Sequence, residues 1–385
     1  MLTKEAIKIH QSAIVVDGHN DLPDKVRIRD LSSFKNFDLM ENQPGFQTDI
    51  PRMLKGGVGA QFWVANGLSG RHNRGNSATG CCLEEIDFIY RMVERYSDVF
   101  ELAFAADDIL RIRKKEKIAS LIGVEAGSAI ESSLGVLRTY YRLGARYMTL
   151  THKDTIEWVD SATDKPLHGG LSKFGEQVVL EMNRLGMLVD ISHISIQAMH
   201  DVLKVSRSPI VASHSSAYAL ASTPRNVPDD VLKGIARNGG VVMINFFPGY
   251  LTQGGAQLDQ PYWDYLRKLE KNPNLTETER VDLANKWDAE HPPPKCSVLD
   301  VVDHIEHVIK TAGLNHVGLG SDFEGIPFGP QFLEDVSYFP YITQGLLDRG
   351  YNETDIHKVL GGNIIRALRE AENVASNLRK ELNKL

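Results

Sequence analysis

Short apolar runs alternate with amphipathic stretches along most of the chain, and this alternation predicts the fold. Eight runs rich in β-branched and other apolar residues are typical of buried strands, and they occupy residues 13–16, 58–64, 118–124, 146–150, 187–191, 209–212, 240–244 and 316–320. Helical spacing of apolar residues occurs over residues 83–96, 171–185, 298–311 and 354–370, with Gly186 placed to end the second helix. Because eight strand–helix units favour a closed parallel sheet, the pattern predicts one α/β domain over residues 1–385, a (β/α)₈ TIM-type barrel.

Two segments, at about residues 22–57 and 246–297, interrupt the alternation. The first is polar and follows the first predicted strand. The second contains clusters of Pro, Gly, Trp and charged residues and follows the seventh strand. Long loops of this kind commonly form the wall or lid of a barrel's active site. We therefore expect both segments to be long βα loops beside a functional site, the first of them irregular.

Polar side chains that can bind a metal or a substrate follow seven of the eight runs. They are His19 and Asp21, Glu125, His152, His193, His214, Asn245 and Asp322. Active sites of barrel enzymes lie at the carboxyl ends of the strands, which share one rim. A single histidine at such a position is more often an ordinary core or loop residue than a ligand. Four histidines together with carboxylates at one rim favour a functional cluster instead.

The residue types at this rim favour a two-metal site. His19 and Asp21 are separated by one residue, so their side chains point the same way on an extended segment. Imidazole and carboxylate ligands suit zinc or a similar divalent ion. Glu125 can bridge two ions because a carboxylate has two oxygens, and a water between the ions becomes a nucleophile near neutral pH. The sequence predicts a metal-dependent hydrolase barrel with two Zn²⁺ ions, whose ligands are His19, Asp21, Glu125, His193 and His214.

Other candidate ligands in the chain carry weaker signals. His304 and His307 lie three residues apart on a predicted helix, but H-I-E-H is not the H-E-x-x-H of a metalloprotease helix, so we expect a solvated helix face there. The 3 cysteines, Cys81, Cys82 and Cys296, lack the spacing of a disulfide framework or of a cysteine zinc site. They predict buried or unreactive thiols.

Composition and charge exclude several classes of partner. The chain has 385 residues, of which 42% are hydrophobic and 24% charged, as in an ordinary globular protein. A net charge of -7 without a run of Lys or Arg argues against nucleic-acid and anionic-membrane surfaces. No stretch reaches the roughly 18 apolar residues of a membrane span, and the N-terminus lacks the apolar core of a signal peptide. The expected location is cytoplasmic.

Several stretches of the sequence resemble the renal (membrane) dipeptidase family of zinc peptidases, peptidase family M19. They run in family order over almost the whole chain and include VVDGHNDLP, GVEAG, MLVDISHIS, PIVASHSSAYAL, RNVPDDVL, GLGSDFEG and GGNIIRAL. The resemblance implies a (β/α)₈ barrel dipeptidase with two zinc ions. It implies that His19, Asp21 and Glu125 hold one ion, and that Glu125, His193 and His214 hold the other.

The resemblance also implies how a substrate is held. His152 is then expected to contact the substrate and stabilise the developing oxyanion. Arg225 would bind the substrate carboxylate, helped by Tyr250, and Asp322 would shuttle the proton. The implied partner is a small dipeptide, and a homodimer is expected at the level of the family.

Two other functions stay open on the sequence alone. Related metal barrels include amidases, lactonases and deaminases, which often begin with His-x-His and use a modified lysine as the bridge. Here the first motif is His19-x-Asp21 and the expected bridge is Glu125. A non-catalytic barrel that only binds a ligand is marked by loss of metal ligands, and none of the expected ligands is lost. The sequence therefore favours a metallo-dipeptidase.

Overall fold

The computed structural model describes residues 1–29, 31–67, 77–292 and 294–382. Its strands are β1 Val15–Asn20, β2 Val58–Asn66, β3 Phe100–Leu102, β4 Ile118–Glu125, β5 Ala145–Thr149, β6 Leu188–Asp190, β7 Ile210–Ala212, β8 Val241–Ile244 and β9 Val317–Leu319. Eight of them pair in the order β2-β1-β9-β8-β7-β6-β5-β4, and β4 pairs back with β2, so the sheet closes. The predicted TIM-type barrel is confirmed.

The strand β3 lies outside the predicted set of eight. Phe100 pairs with Ile118 at the start of β4, whereas β5 pairs with the later part of β4, from Ile122 to Val124. This strand has three residues, two of them partly exposed, so no hydrophobic run marks it in the sequence.

The barrel strands are buried along their whole length. Every residue of β2 and of β4 is buried. Helices cover one side of these parallel strands and the packed barrel interior covers the other, so neither face contacts water. Their sequences are therefore nearly continuous apolar runs. The buried polar residues Asp17 and His19 of β1 therefore depend on partners inside the barrel.

The described residues also form helices between the strands. They are α1 Lys4–Ser12, α2 Leu22–Ile28, α3 Ile50–Lys55, α4 Ala78–Arg95, α5 Ala106–Arg113, α6 Leu134–Arg142, α7 Lys173–Leu185, α8 Ile196–Val205, α9 Asp229–Asn238, α10 Pro248–Leu251, α11 Gln253–Glu270, α12 Glu277–Glu290, α13 Val298–Ala312, α14 Pro340–Asp348, α15 Glu353–His357 and α16 Asn363–Leu382. Gly186 ends α7 with φ 91°, as predicted. The last predicted helix is divided by a π-helical turn, Lys358–Gly362. None of the described helices has the length and apolarity needed to cross a bilayer.

Helices occupy much of the two long βα loops expected at residues 22–57 and 246–297, although the first was expected to be irregular. The first segment contains α2 and α3, and α10, α11 and α12 occupy most of the second. Pro23 and Pro248 lie in the first turn of a helix, where the missing N–H has no intrahelical partner to lose. We call α10, α11 and α12 the helical cap.

His304 corrects the expectation of a solvated helix face on α13. The side chain is only 1% exposed. Its Nδ1 accepts the Ala217 N–H at 3.0 Å, and its Nε2 lies 3.0 Å from the Leu251 carbonyl oxygen, to which it donates. His307 instead contacts Asp229, 2.7 Å from Nε2 to Oδ1. The two histidines therefore have separate structural partners.

Acidification from pH 7 to pH 4 is expected to destabilise the protein partly through His304. Burial is the main reason its pKa falls to about 4. The unfolded chain titrates near the ordinary value of about 6.5, so it binds more protons than the folded state below that pH. The stability present above pH 6.5 is then lost as the pH falls toward 4, by up to about 3 kcal/mol.

Urea unfolding at several pH values measures this contribution. The His304→Gln variant keeps a neutral donor and acceptor, so its free energy of unfolding should fall less steeply with acid than that of the parent. His291→Gln, at an exposed position, is the control. Identical pH dependence in the parent and in His304→Gln would contradict the assignment.

Candidate metal centre

Seven side chains converge at the carboxyl-end rim of the barrel. His19 lies in β1 and Glu125 ends β4, while the other five lie within three residues after their strands. The set is His19, Asp21, Glu125, His152, His193, His214 and Asp322. Because neighbouring parallel strands end at the same rim, residues far apart in sequence meet there.

Glu125 lies at the centre of this cluster. Its Oε1 lies 3.2 Å from His193 Nε2, 3.5 Å from His214 Nε2, 3.6 Å from His19 Nε2 and 3.9 Å from His152 Nε2. Its Oε2 accepts a hydrogen bond from Asn66 Nδ2 at 3.2 Å. One carboxylate thus lies within reach of four imidazoles.

Two further carboxylates lie close to His19. His19 Nε2 lies 3.5 Å from Asp21 Oδ2 and 4.0 Å from Asp322 Oδ1. Gly325 lies between these carboxylates, since a Cβ there would fall 2.3 Å from Asp21 Oδ2 and 2.7 Å from Asp322 Oδ1. Glycine at this position allows the two carboxylates to face the same space.

The donor atoms fit divalent cations. Three groupings place their ligand atoms within 4.8 Å of one another: His19, Glu125 and His214; Glu125, His152 and His193; and His19, Asp21 and Asp322. The buried Nε2 atoms of His19 and His214 have no hydrogen-bond partner within the part of the chain that is described. An unpaired polar atom in this position costs free energy unless something binds it. Imidazoles beside carboxylates are the ligand types that zinc prefers.

A buried hydrogen-bond relay fixes the proton on His214. Ser213 Oγ lies 2.6 Å from Asp190 Oδ2 and 2.8 Å from His214 Nδ1. The single hydroxyl proton of Ser213 goes to the carboxylate, so the oxygen accepts a proton from Nδ1. His214 therefore carries its proton on Nδ1 and presents a lone pair at Nε2. The sequence reasoning missed Asp190, although an acidic residue inside an apolar strand is a signal that could have identified it.

A second relay acts on His19. Tyr147 Oη donates to the Gly18 carbonyl oxygen at 3.1 Å and lies 3.0 Å from His19 Nδ1. With the phenolic proton committed to Gly18, the oxygen accepts from Nδ1, so the neutral form of His19 leaves Nε2 bare. Such outer partners set the tautomer and orientation of metal-binding histidines. No local sequence signal identified Tyr147, because it lies 128 positions from His19.

Burial keeps most of the cluster histidines neutral. It lowers the pKa of His152 to about 4 and lowers those of His193 and His214 well below the ordinary value. A neutral imidazole can donate at one nitrogen and bind a cation at the other. Burial also raises the pKa of Asp322, and the charge of Glu125 adds to that effect while His19 opposes it.

A cavity of about 360 Å³ opens onto the cluster. Glu125, His152, His193 and Asp322 line it, and so do Asp21 and Tyr250. The helical cap and α2 form much of the remaining wall, so both segments predicted to border the site do so. The volume falls within the range of small-molecule sites.

Arg225 lies beside the cavity and not on its lining. The residue is 1% exposed, and its guanidinium carbon is 5.0 Å from the centre of the Tyr250 ring. The three side-chain nitrogens have no hydrogen-bond partner among the residues described. A buried guanidinium without a partner is costly, so an anion that reached it would be bound strongly.

Comparisons with known proteins place the chain among dipeptidases. The family model for membrane dipeptidase, peptidase family M19, matches residues 3–382. Dipeptidase tcpJ of Claviceps purpurea is 39% identical over 369 residues, which cover 94% of this chain and 78% of that protein. Dipeptidase aclJ of Aspergillus oryzae is 37% identical over 376 residues, which cover 96% of this chain and 80% of that protein.

A solved structure supports the fold. The probable dipeptidase PvdM from Pseudomonas aeruginosa superposes with a TM-score of 0.82 at 25% sequence identity. The superposition covers 96% of this chain and 98% of that one. The barrel therefore spans the two proteins almost end to end.

Proposed function

The chain belongs to the membrane dipeptidase family, peptidase family M19, and from this premise we propose that it hydrolyses the amide bond of dipeptides with the help of two zinc ions. The observation that carries the proposal is the position of Glu125, whose Oε1 lies within 3.9 Å of four imidazole nitrogens. A carboxylate in that position can serve two cations at once.

The proposed ligands divide into two sets that share Glu125. His19 and Asp21 would hold one ion with it, and His193 and His214 would hold the other. The bare Nε2 atoms of His19 and His214 support a ligand role for one histidine of each set. Two divalent ions there would polarise the scissile carbonyl and make a water acidic enough to attack it.

Asp322 is the proposed proton carrier. Its Oδ2 accepts a hydrogen bond from Asn245 Nδ2 at 2.8 Å, while Oδ1 faces Asp21 and His19 at the edge of the cavity. The carboxylate would take a proton from the attacking water and give it to the leaving amine. Burial raises its pKa, which strengthens the carboxylate as the acceptor of the water's proton.

His152 is the proposed donor to the developing oxyanion. It lines the cavity, and its Nε2 lies 3.9 Å from Glu125 Oε1. Because burial lowers its pKa to about 4, the ring is neutral near pH 7 and carries one N–H. A preoriented N–H in a buried site stabilises negative charge that appears only in the transition state.

Arg225 and Tyr250 are proposed to bind the free carboxylate of the substrate. The guanidinium stacks beside the Tyr250 ring and has no anion partner within 4.0 Å in the described chain. A bidentate pair with a carboxylate would satisfy it. An enclosed cavity with one such clamp favours dipeptides over long peptides.

One assay tests the function directly. We expect the zinc-loaded protein to hydrolyse L-alanyl-L-alanine or L-alanyl-D-alanine, to lose activity with a chelator, and to regain it with zinc.

The C-terminal amide of such a dipeptide should be a poor substrate, and Arg225→Met should raise KM for the free acids strongly. Arg237→Met, at an exposed position, is the control. No hydrolysis of any dipeptide by fully loaded protein would overturn the proposal, and turnover of lactones or N-acyl amides instead would favour a related barrel hydrolase.

A further inference from the structure

The cavity above the metal centre has two chemically different ends. Glu125 separates them, because its Oε2 accepts from Asn66 whereas its Oε1 faces His152. The helix α2 lies on the Asn66 side, because the Asn66 backbone N–H and Arg27 Nε both donate to Glu85. The helical cap lies on the His152 side, because Trp263 of α11 meets the His152 ring.

The end beside α2 is polar and internally paired. Arg27 Nε donates to Glu85 Oε1 at 2.6 Å, and Arg27 Nη2 donates to Asp24 Oδ1 at 3.3 Å. The Asn66 backbone N–H donates to Glu85 Oε2 at 2.6 Å. Apart from Ile28, the lining from these segments is polar. Bringing a large apolar side chain here would remove water from charged groups without providing an apolar wall.

The opposite end is aromatic. Five aromatic side chains line it: Phe247, Tyr262, Trp263, Trp287 and Phe328. The ring centres of Tyr262 and Trp263 lie 5.8 Å apart, and those of Tyr262 and Trp287 lie 5.0 Å apart. Trp263 meets the His152 ring edge-on at 6.0 Å, so the aromatic wall reaches the reacting centre.

Packing within the cap does not account for all of these rings. Leu266, Leu269 and Ala284 form the buried core between α11 and α12. Tyr265 stacks on Trp287 at 6.3 Å and does not line the cavity, so it holds the cap together from the other side. Phe328 is 42% exposed, and an apolar ring that is left open toward a cavity gains from a ligand that covers it.

The proposed carboxylate clamp lies on the aromatic side. Tyr250 contacts Arg225 and meets the Phe247 ring edge-on at 5.1 Å. Asp259, which accepts from Thr223 Oγ1, also accepts from Trp263 Nε1 at 2.8 Å. In a dipeptide the carboxylate and the side chain of the second residue share one Cα. If Arg225 binds that carboxylate, the second side chain therefore lies among these rings.

We propose that the aromatic end is the subsite for the C-terminal residue of the dipeptide and takes a large aromatic or apolar side chain, whereas the α2 end takes a small or polar N-terminal residue. This inference rests on the proposed dipeptidase function. Burying a side chain as large as phenylalanine against such a wall is expected to increase kcat/KM by about tenfold to a hundredfold.

The test compares kcat/KM for glycyl-phenylalanine, phenylalanyl-glycine and glycyl-glycine with the zinc-loaded protein. We expect glycyl-phenylalanine to exceed both others by at least about tenfold. Trp263→Ala should reduce the ratio of glycyl-phenylalanine to glycyl-glycine by about tenfold, while Trp263→Phe should keep most of it. Phe104→Ala, which removes an exposed aromatic side chain that does not line the cavity, should leave the ratio unchanged.

Different outcomes of this test bear on the aromatic subsite and on the dipeptidase function. The aromatic subsite is overturned if all three dipeptides are hydrolysed at similar rates or if phenylalanyl-glycine is preferred. Either result is still consistent with the dipeptidase function. Failure to hydrolyse any of the three overturns the function itself. If Trp263→Ala does not fold, Phe328→Ala replaces it, since that ring is already partly exposed. An unchanged ratio in Phe328→Ala, or in a folded Trp263→Ala, also counts against the subsite.

Discussion

Replacing Glu125 with glutamine is expected to abolish dipeptide hydrolysis, with kcat/KM falling by roughly 10³ or more. Glutamine keeps the shape of the side chain and one oxygen, but it has no negative charge to offset two cations. In the structure the carboxylate faces four imidazoles through Oε1 and is held by Asn66 at Oε2. The amide would also place an NH₂ group toward the cluster in one of its two orientations.

Metal analysis and kinetics on three variants check this expectation. Glu125→Asp keeps the charge and should retain more activity than Glu125→Gln, although the shorter side chain fits less well. Glu94→Gln, on the exposed face of α4, controls for the loss of one charge. Full activity and full metal content in Glu125→Gln would show that Glu125 does not bridge the ions.

Asp322→Asn is expected to lower kcat by roughly 10² or more while the protein keeps its metal and still binds dipeptide. The reason is that a proton must pass from the attacking water to the leaving amine, and asparagine cannot carry it. Asn245 holds Oδ2, which leaves the other oxygen at the cavity edge free for that role. Left-handed backbone at Asp322, with φ 62°, aims the side chain there.

Metal content decides between this role and a direct ligand role. Asp322 Oδ1 belongs to the same grouping as His19 and Asp21, so a ligand role predicts that metal and activity fall together. A proton carrier predicts that metal stays while turnover falls. An Asn variant with both its metal and a parental kcat would exclude the proton-carrier role. Asp335→Asn, which lies outside the cavity and caps a short helix, is a suitable control.

The positions of the strands were predictable because burial on both faces produces a local run of apolar residues in the sequence. A strand that is covered by helices and packed inside a barrel is mostly apolar, as β2 and β4 are. The short strand β3 escaped prediction because it is partly exposed and only three residues long. The helices of the cap were not predicted, because Pro, Gly and charged residues are typical of turns in general. Only the fold shows that Pro248 begins a helix.

The convergence of His19, Asp21, Glu125, His193 and His214 could be expected from sequence, because parallel strands in a barrel all end at one rim. A position just after a strand therefore fixes where a side chain lies without any knowledge of its neighbours. The same reasoning cannot say which atoms face one another. The proton on Nδ1 of His214 is set by Ser213 and Asp190, and Tyr147 contacts Nδ1 of His19. These contacts, which leave Nε2 of each ring bare, depend on tertiary packing.

By itself the sequence determined the barrel and the rim residues, since both follow from the local order of apolar runs and the polar residues after them. Only the tertiary structure decided which imidazoles face Glu125 Oε1, that Arg225 lies behind the cavity lining, and that the cavity has one polar and one aromatic end. Those features depend on distances of a few ångströms between side chains that are separated in sequence, such as Glu125 and His19. Hydrogen bonds and metal coordination depend on such distances, and residue order alone does not fix them.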